Sequence, residues 1–322
     1  MKDAILARII SVIAVILVLI PFHETYAVDA DWDPDEIVVF RDPNLEQAIR
    51  EAIDKPSGEI IASDMAVLTD LNLHYRQIEY LDGFQYCVNV ESLIMTCNIV
   101  RDITALAWLT KLTYLDLNGN HVEDLAPLSD LTALEYLRVG SSALRSLAPL
   151  ENCTSLRTLI VGANRVTDLA PLASLENLTE LTVAWCRVDN IEPLSGLTDL
   201  TALDLVMNNI SDISPLGNLT GLTELVISGN HVADITPLSN LTQLTEIWAA
   251  QNEIEDISPL ANMPELAKVY FQANMVSDLS PLLENPGLGD GDHVSFTDNP
   301  LSEESINSVI PALQARGVQV SY

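Results

Sequence analysis

Apolar residues recur along most of the chain with a period of 22 residues. Segments 109–130 and 131–152 show this clearly, because Leu occupies nearly the same positions in both and each ends on Ala-Pro-Leu followed by two polar residues. Ten such rows run without insertion or deletion, beginning at positions 65, 87, 109, 131, 153, 175, 197, 219, 241 and 263. A repeat of this length predicts a solenoid, in which each row forms one coil and buries its apolar side against its neighbours.

Within each row the apolar positions predict a short strand, because residues such as Leu115 and Leu117 alternate with polar ones. Stacking the rows would pair these strands into one parallel sheet with about 4.8 Å between neighbours. An Asn follows the strand in seven rows, and we expect its buried amide to bond backbone groups of its own and the adjacent coil. An Asp stands at one position in seven rows, before Ile/Leu-x-Pro-Leu in six of them and before Ile-Thr-Ala-Leu in the row of Asp102. There it can cap a short 3-10 turn, with a stacked cation site as the alternative.

The complete row reads L-x-x-L-x-x-L-x-L-x-x-N-x-[IV]-x-D-[IL]-x-P-L-x-x and resembles the leucine-rich repeat. Its length and its D-[IL]-x-P-L half are similar to the bacterial internalin-type subclass, over residues 65 to about 282. The resemblance implies an α/β fold. This would be a right-handed leucine-rich-repeat solenoid with a parallel β-sheet on the concave face, 3-10 turns on the convex face and helical caps at both ends. It also implies a binding module that uses the concave face for protein ligands.

The segments outside the rows predict the remaining domains. Residues 1–27 combine two basic residues, an apolar run and small residues near position 27, which indicates a secretory signal peptide. An uncleaved anchor is the alternative, although the run is shorter than the ~20 residues of a spanning helix. We assign residues 28–64 to an acidic tail and a helical N-terminal cap, residues 65–286 to the ten repeats, and residues 287–322 to a final repeat strand and a helical C-terminal cap.

Both caps carry local signals. Asp42 and Pro43 predict the start of the N-terminal helix, and the preceding apolar run 37–40 could form an edge strand. In the C-terminal helix Pro311 should cause a kink or a restart, and the apolar residues Ile306, Val309, Ile310 and Leu313 are expected to face the core. The Asp-rich segments 29–35 and 289–292 leave a calcium site open as an alternative to a flexible tail and a Gly-rich loop.

The formal net charge is -31, from 46 acidic and 15 basic residues. Nucleic-acid binding requires clustered Lys and Arg, so this balance argues against a nucleic-acid partner. It also argues against docking on an anionic membrane, and membrane contact is expected only through export or an uncleaved N-terminal segment. The simplest explanation of the acidity is solubility, and we expect a monomer that is secreted or held at the cell surface.

Common catalytic and phosphate-binding motifs are missing from the sequence. It contains no G-x-S-x-G, no H-E-x-x-H and no phosphate-binding Gly loop. His121 and His231 share a row position but lie five coils apart, too far to share a metal. The row positions also keep the cysteines beyond disulfide distance, so free thiols are expected at Cys87, Cys97, Cys153 and Cys186. We therefore predict no enzyme activity, no catalytic residue, no cofactor and no metal.

The side chains between the core leucines of each strand are free to serve a binding function. Two aromatic pairs occupy neighbouring rows, and a further Trp lies at a strand exit. Exposed aromatic residues surrounded by Asp and Glu match the composition of protein-recognition surfaces. The predicted ligand-binding residues on the concave face are Tyr114, Asp116, Tyr136, Arg138, Trp185, Asp204, Glu224, Glu246, Trp248 and Tyr270. Aromatic side chains also stack on sugars, so a carbohydrate-binding or structural cell-envelope protein is the alternative.

Overall fold

The computed structural model describes residues 33–322, so the predicted signal peptide at residues 1–27 and the start of the acidic tail lie outside the described residues. Within this range twelve strands form one sheet, and each strand pairs in parallel with the next along the chain. The strands are β1 (Asp70–Asn72), β2 (Ser92–Ile94), β3 (Tyr114–Asp116), β4 (Tyr136–Arg138), β5 (Thr158–Ile160), β6 (Glu180–Thr182), β7 (Ala202–Asp204), β8 (Glu224–Val226), β9 (Glu246–Trp248), β10 (Lys268–Tyr270), β11 (His293–Ser295) and β12 (Gln319–Ser321).

The strand register follows the 22-residue period, as the pairing of Leu115 with Leu137 shows. The central residue of nearly every strand is buried, and the side chains on either side of it point away from the core. Short 3-10 helices close the opposite side of the coils, at Phe84–Tyr86, Thr104–Trp108, Ala126–Leu128, Ala148–Leu150, Ala170–Ser174, Glu192–Leu194, Ser214–Asn218, Thr236–Asn240 and Ser258–Asn262. The leucine-rich-repeat solenoid predicted from the sequence is therefore confirmed, with a sheet about 50 Å long.

The Asn positions form the predicted polar ladder inside the coils. Asn230 is buried, and its Nδ2 donates to the carbonyl oxygens of Leu205 and Ile227 at 3.0 and 2.9 Å. Its Oδ1 accepts the N–H of Ile210 from the preceding coil at 3.0 Å. Each such amide satisfies three buried backbone groups and ties adjacent coils together.

The Asp positions cap the 3-10 turns, as predicted. In all seven of these rows the carboxylate accepts the N–H of the residue two positions on, for example Ala126 N–H to Asp124 Oδ1 at 2.8 Å. Two rows without the Asp use a different acceptor in the same place. Asn190 accepts from Glu192 and Ser146 accepts from Ala148. The position therefore requires an acceptor oxygen and not specifically a charge.

The N-terminal cap contains helix α1 (Pro43–Ala52) and the short helix α2 (Ala62–Met65). Asp42 caps α1 as predicted, and its second carboxylate oxygen accepts the N–H groups of Glu79 and Tyr80 in the first coil at 2.6 and 3.2 Å. One carboxylate thus joins the cap to the repeats. The predicted edge strand at residues 37–40 is wrong, because Ile37 makes only an isolated antiparallel bridge with Ile61.

At the C-terminus helix α3 (Ser280–Glu284) replaces the last 3-10 turn, and the chain ends with helix α4 (Ile310–Ala315) and strand β12. A π-helical turn, Ser305–Val309, precedes α4, since Pro311 cannot donate a backbone N–H and its ring crowds the carbonyl one turn earlier. This wide turn changes the phase of the helix. Ile306 is 38% exposed, in contrast to our prediction, and Ser305 is buried in its place.

The four cysteines are free thiols, as expected from their rows. Burial raises the pKa of Cys153 to about 11, with a smaller contribution from the nearby charge of Asp130. Cys87 is buried more deeply, and burial raises its pKa further. No helix between residues 33 and 322 has the length and apolar character needed to cross a membrane.

Candidate functional site

The candidate site is the concave face of the sheet. It is formed by the residues on either side of the buried central residue of each strand. The face has no covering element among the residues described, and its side chains form continuous columns because the strand register never slips between β1 and β10. Two aromatic pairs dominate these columns. We refer to Tyr114 and Tyr136 as the Tyr pair, and to Trp248 and Tyr270 as the Trp–Tyr pair.

The Tyr pair lies on the adjacent strands β3 and β4, where the two residues are directly opposite each other. Their ring centroids are 4.2 Å apart and the ring planes differ by 7°. Burial, together with the Tyr114 hydroxyl beside it, raises the pKa of Tyr136 to about 12. Both rings remain partly exposed, so they present an ordered apolar surface.

Next to the Tyr pair, Asp116 and Arg138 occupy opposite positions on the same two strands. Asp116 is only 6% exposed, and its Oδ1 accepts the N–H of Asn118 at 2.9 Å. Its Oδ2 lies 3.7 Å from Arg138 Nη1, whose side chain is partly exposed. The structure therefore places Arg138 at the surface and gives Asp116 a supporting role, which sequence reading had not distinguished.

The Trp–Tyr pair lies on β9 and β10, with ring centroids 3.9 Å apart. Val226 on β8 is the next residue of this column, and the ring of His293 lies 6.5 Å from that of Tyr270 on the other side. The neighbouring column carries Glu224, Glu246 and Lys268, and Lys268 forms an ion pair with Glu246. An apolar strip is thus bordered by charged side chains. The position of His293 beside Tyr270 was not predicted from the sequence.

Asp204 lies in the same column as the Trp–Tyr pair, one coil before Val226. Burial raises its pKa, although its Oδ1 accepts the N–H of Val206 at 2.9 Å. The equivalent bond in β3 joins Asp116 to Asn118, and in β1 Asn72 accepts from His74 at 3.2 Å. These side chains close the turn after their strands, which explains their presence without a ligand.

Trp185 lies at the exit of β6, in a column where the backbone is left-handed in coil after coil. Its φ is 54° and the side chain is 60% exposed, the highest exposure of a described Trp. Small residues such as Gly119, Ser141 and Ala163 fill this position in three earlier coils. In the next coil Met207 extends over Gly229, since a Cβ on that glycine would lie 2.6 Å from the Met207 sulfur. A large exposed aromatic ring at a strained position serves no evident packing purpose.

The sequence profile described as Leucine Rich repeats (2 copies) matches residues 110–152 and 198–240. A crystal structure of an internalin, inlF, from Listeria monocytogenes is 30% identical, with a TM-score of 0.78 over 88% of this chain and 89% of that one. The chain belongs to the internalin-type leucine-rich-repeat family.

Two further solved structures share the fold of this internalin-type protein. A leucine-rich-repeat protein of Leptospira interrogans is 21% identical, with a TM-score of 0.69 over 80% of this chain and 73% of that one. The functional domain of InlJ from Listeria monocytogenes is 20% identical, with a TM-score of 0.67 over 87% of this chain and 66% of that one. No curated protein matches the sequence at a significant level.

The internalin-type sheet separates the predicted site residues into two groups. Five strand spacings lie between β4 and β9, so the Tyr pair and the Trp–Tyr pair are about 24 Å apart. Trp185 makes no ring stacking with either pair in the part of the chain that the structure describes. Across residues 33–322, no three His, Cys, Asp or Glu side chains are close enough to hold a metal ion. The arrangement is suited to contact with an extended surface.

Proposed function

We propose that this internalin-type protein is an exported binding module that recognises a protein ligand through the concave face of its sheet. The observation that carries the proposal is the presence of two stacked, partly exposed aromatic pairs on one uncovered face. Aromatic residues and Arg are the side chains that most often dominate the binding energy of protein interfaces. Stacking holds the rings in place before binding, which lowers the entropy lost on association.

The spacing of the anchors favours a macromolecular ligand. A small molecule cannot reach both pairs across about 24 Å, whereas a standard protein interface of about 800 Å² per partner spans such a distance. Glu224, Glu246 and Asp116 with Arg138 border the rings, and we assign Trp185 to the same interface as a fifth aromatic anchor. Asp204 and Asp116 act mainly by fixing the turns beneath.

A more distant solenoid of this fold has been solved in complex with a partner. The plant peptide hormone receptor RGFR1, 19% identical with a TM-score of 0.64, was solved in complex with RGF2. For the present chain we propose a protein ligand on the same architectural grounds. We also propose a secreted or cell-surface location, because residues 1–27 resemble a signal peptide. We further propose that the protein acts as a monomer and is not an enzyme. The carbohydrate-binding alternative rests on the same exposed rings.

Capture from cell-envelope extracts tests the proposal. The immobilised protein is compared with the double variants Y114A/Y136A and W248A/Y270A, with W185A, and with Y322A as an aromatic control at the exposed C-terminus. We expect a protein that Y322A retains and that the double variants lose. Capture that is equal for all variants would contradict a role for the rings, and binding on a glycan array without protein capture would favour the carbohydrate alternative.

A further inference from the structure

Most basic side chains among residues 33–322 have a partner. Six form ion pairs with carboxylates, namely Arg50, Lys55, Arg76, Arg101, Arg138 and Lys268. Three others stack on a ring or donate to backbone or amide oxygens. Four exposed arginines, Arg145, Arg157, Arg165 and Arg187, have neither an ion pair nor a side-chain hydrogen bond within this range. In a chain with 46 acidic residues, unpaired guanidinium groups are unexpected.

Three of these four arginines line a single cavity. Arg145, Arg165 and Arg187, together with Thr167, line an open surface cavity of about 530 Å³. They come from three consecutive rows, and Arg145 stands two positions further along its row than the other two, so their backbones lie within about 12 Å of one another. Arg157 does not line this cavity.

The backbone that carries the three arginines is fixed by the Asn ladder. Arg145 follows Leu144, whose N–H bonds Asn164 at 3.1 Å, and Arg187 precedes Val188, whose N–H bonds Asn208 at 3.0 Å. The N–H of Arg165 donates to the carbonyl oxygen of Leu144 at 2.8 Å. The guanidinium groups therefore extend from fixed backbone positions, and none of them forms an ion pair with a carboxylate among residues 33–322.

The acidic residues near the cavity do not fill this role. Glu123 shares the row position of Arg145 one coil earlier, and its carboxylate lies 3.9 Å from Arg101 instead. Asp168 follows Thr167, but its Oδ1 is occupied by the N–H of Ala170 at 2.9 Å. Asp189, two residues after Arg187, makes no ion pair in the described chain. Neither carboxylate lines the cavity. Three like charges at neighbouring coils repel one another, and an anion placed among them would relieve that repulsion.

We propose that the cavity formed by Arg145, Arg165, Arg187 and Thr167 binds a phosphate or sulfate group carried by a ligand. Guanidinium groups donate paired hydrogen bonds that match the oxygens of such groups, and a Thr hydroxyl supplies a further donor. The net charge of -31 opposes approach to an extended anionic surface. We therefore favour a discrete ester group on a soluble molecule or glycan over the headgroups of a membrane. This site is independent of the protein-binding face.

Calorimetric titration with inorganic tripolyphosphate and with inorganic sulfate, at constant ionic strength set with chloride, tests the proposal. The variants are R145Q/R165Q/R187Q and, as a matched control, R157Q, which removes the one unpaired arginine outside the cavity among residues 33–322. We expect the triple variant to weaken tripolyphosphate binding by roughly tenfold or more, and R157Q to change it by less than about twofold. The triple Lys variant R145K/R165K/R187K should fall between them, because it keeps the charge and loses the paired donors.

The source of the anion is distinguished in separate arms. Sedimentation with phosphatidylglycerol vesicles, against phosphatidylcholine vesicles, reports a lipid headgroup, and titration with a sulfated oligosaccharide reports a glycan. If the triple variant loses binding in one of these arms and R157Q retains it, the result supports the site and identifies the source of the anion. The proposal is overturned if the wild-type protein binds neither inorganic anion, or if R157Q loses as much affinity as the triple variant. Circular dichroism verifies that all variants remain folded.

Discussion

The rings of Tyr114 and Tyr136 lie parallel on adjacent strands, with their centroids 4.2 Å apart. A stacked pair of this kind contributes about 0.5–1.5 kcal/mol beyond the area that it buries. Its position on the concave face shows that part of the surface is organised before any ligand arrives. Burial and the neighbouring Tyr114 hydroxyl also disfavour the charged form of Tyr136.

We predict that Tyr136 titrates near pH 12 in the folded protein. The folded pKa lies above the usual value of 10.0, so the contribution of this group to stability is complete below about pH 10 and is lost as the pH rises through 12. Ultraviolet difference titration of the wild-type protein against Y136F isolates this phenol. Replacing its neighbour in Y114F should lower the pKa of Tyr136, and an unchanged value would contradict the assigned contact.

Trp185 provides a prediction about stability and binding together. Its left-handed backbone, with φ of 54°, costs a residue with a Cβ about 1 kcal/mol relative to glycine. W185G should therefore stabilise the protein against urea by about that amount while it weakens ligand binding. The reverse change in the same column, G119A, should destabilise by a similar amount, because Gly119 has φ of 70°. A loss of stability in W185G would show that the ring packs on the fold.

The Asn ladder predicts a large effect at a buried position. N230A would leave the carbonyl oxygens of Leu205 and Ile227 and the N–H of Ile210 without this partner, at a cost of about 3 kcal/mol or more. Ser142 occupies the ladder position in another coil and donates only to Asn120 at 3.3 Å. S142N should complete the ladder and stabilise by about 1 kcal/mol. Urea unfolding measures both, and equal stability of N230A and wild type would contradict the ladder.

Asp42 couples the N-terminal cap to the first coil. Burial alone would raise its pKa, but four backbone N–H donors outweigh that effect and hold the pKa below its usual 3.8. The carboxylate thus contributes stability above about pH 4 that is lost as the pH falls through the lowered value. D42N should cost about 2 kcal/mol at pH 7, and the difference from wild type should shrink at pH 3. Urea unfolding at pH 7 and at pH 3 measures the stability difference between D42N and wild type. A difference that does not change with pH would contradict the role assigned to the Asp42 carboxylate.

The structural roles of the periodic positions were predictable because every coil has the same backbone geometry. Leu115 and Leu137, the Asn ladder and the Asp caps each occupy one place in every coil, so a single coil explains them all. The caps were less predictable. Ile306 points outward because a π-helical turn before Pro311 shifts the helical phase, and periodicity in sequence assumes a regular helix.

The candidate site was predictable only in part. Stacking of both aromatic pairs follows from row positions, but the burial of Asp116 does not, since Asp204 at the same row position makes the same turn bond and is less buried. The arginine cavity was missed because Arg145 and Arg165 stand at different positions within their rows. A scan of both positions over three rows would have detected the excess of Arg.

The central claim is that the aromatic pairs anchor a protein ligand. Its most direct test is the affinity of the purified captured partner for the wild-type protein, Y114A/Y136A, W248A/Y270A and the control Y322A. Removing a buried aromatic anchor costs about 2 kcal/mol, so each double variant should weaken binding by roughly 30-fold or more, with Y322A unchanged. Affinities of the two double variants within about twofold of wild type would contradict the account.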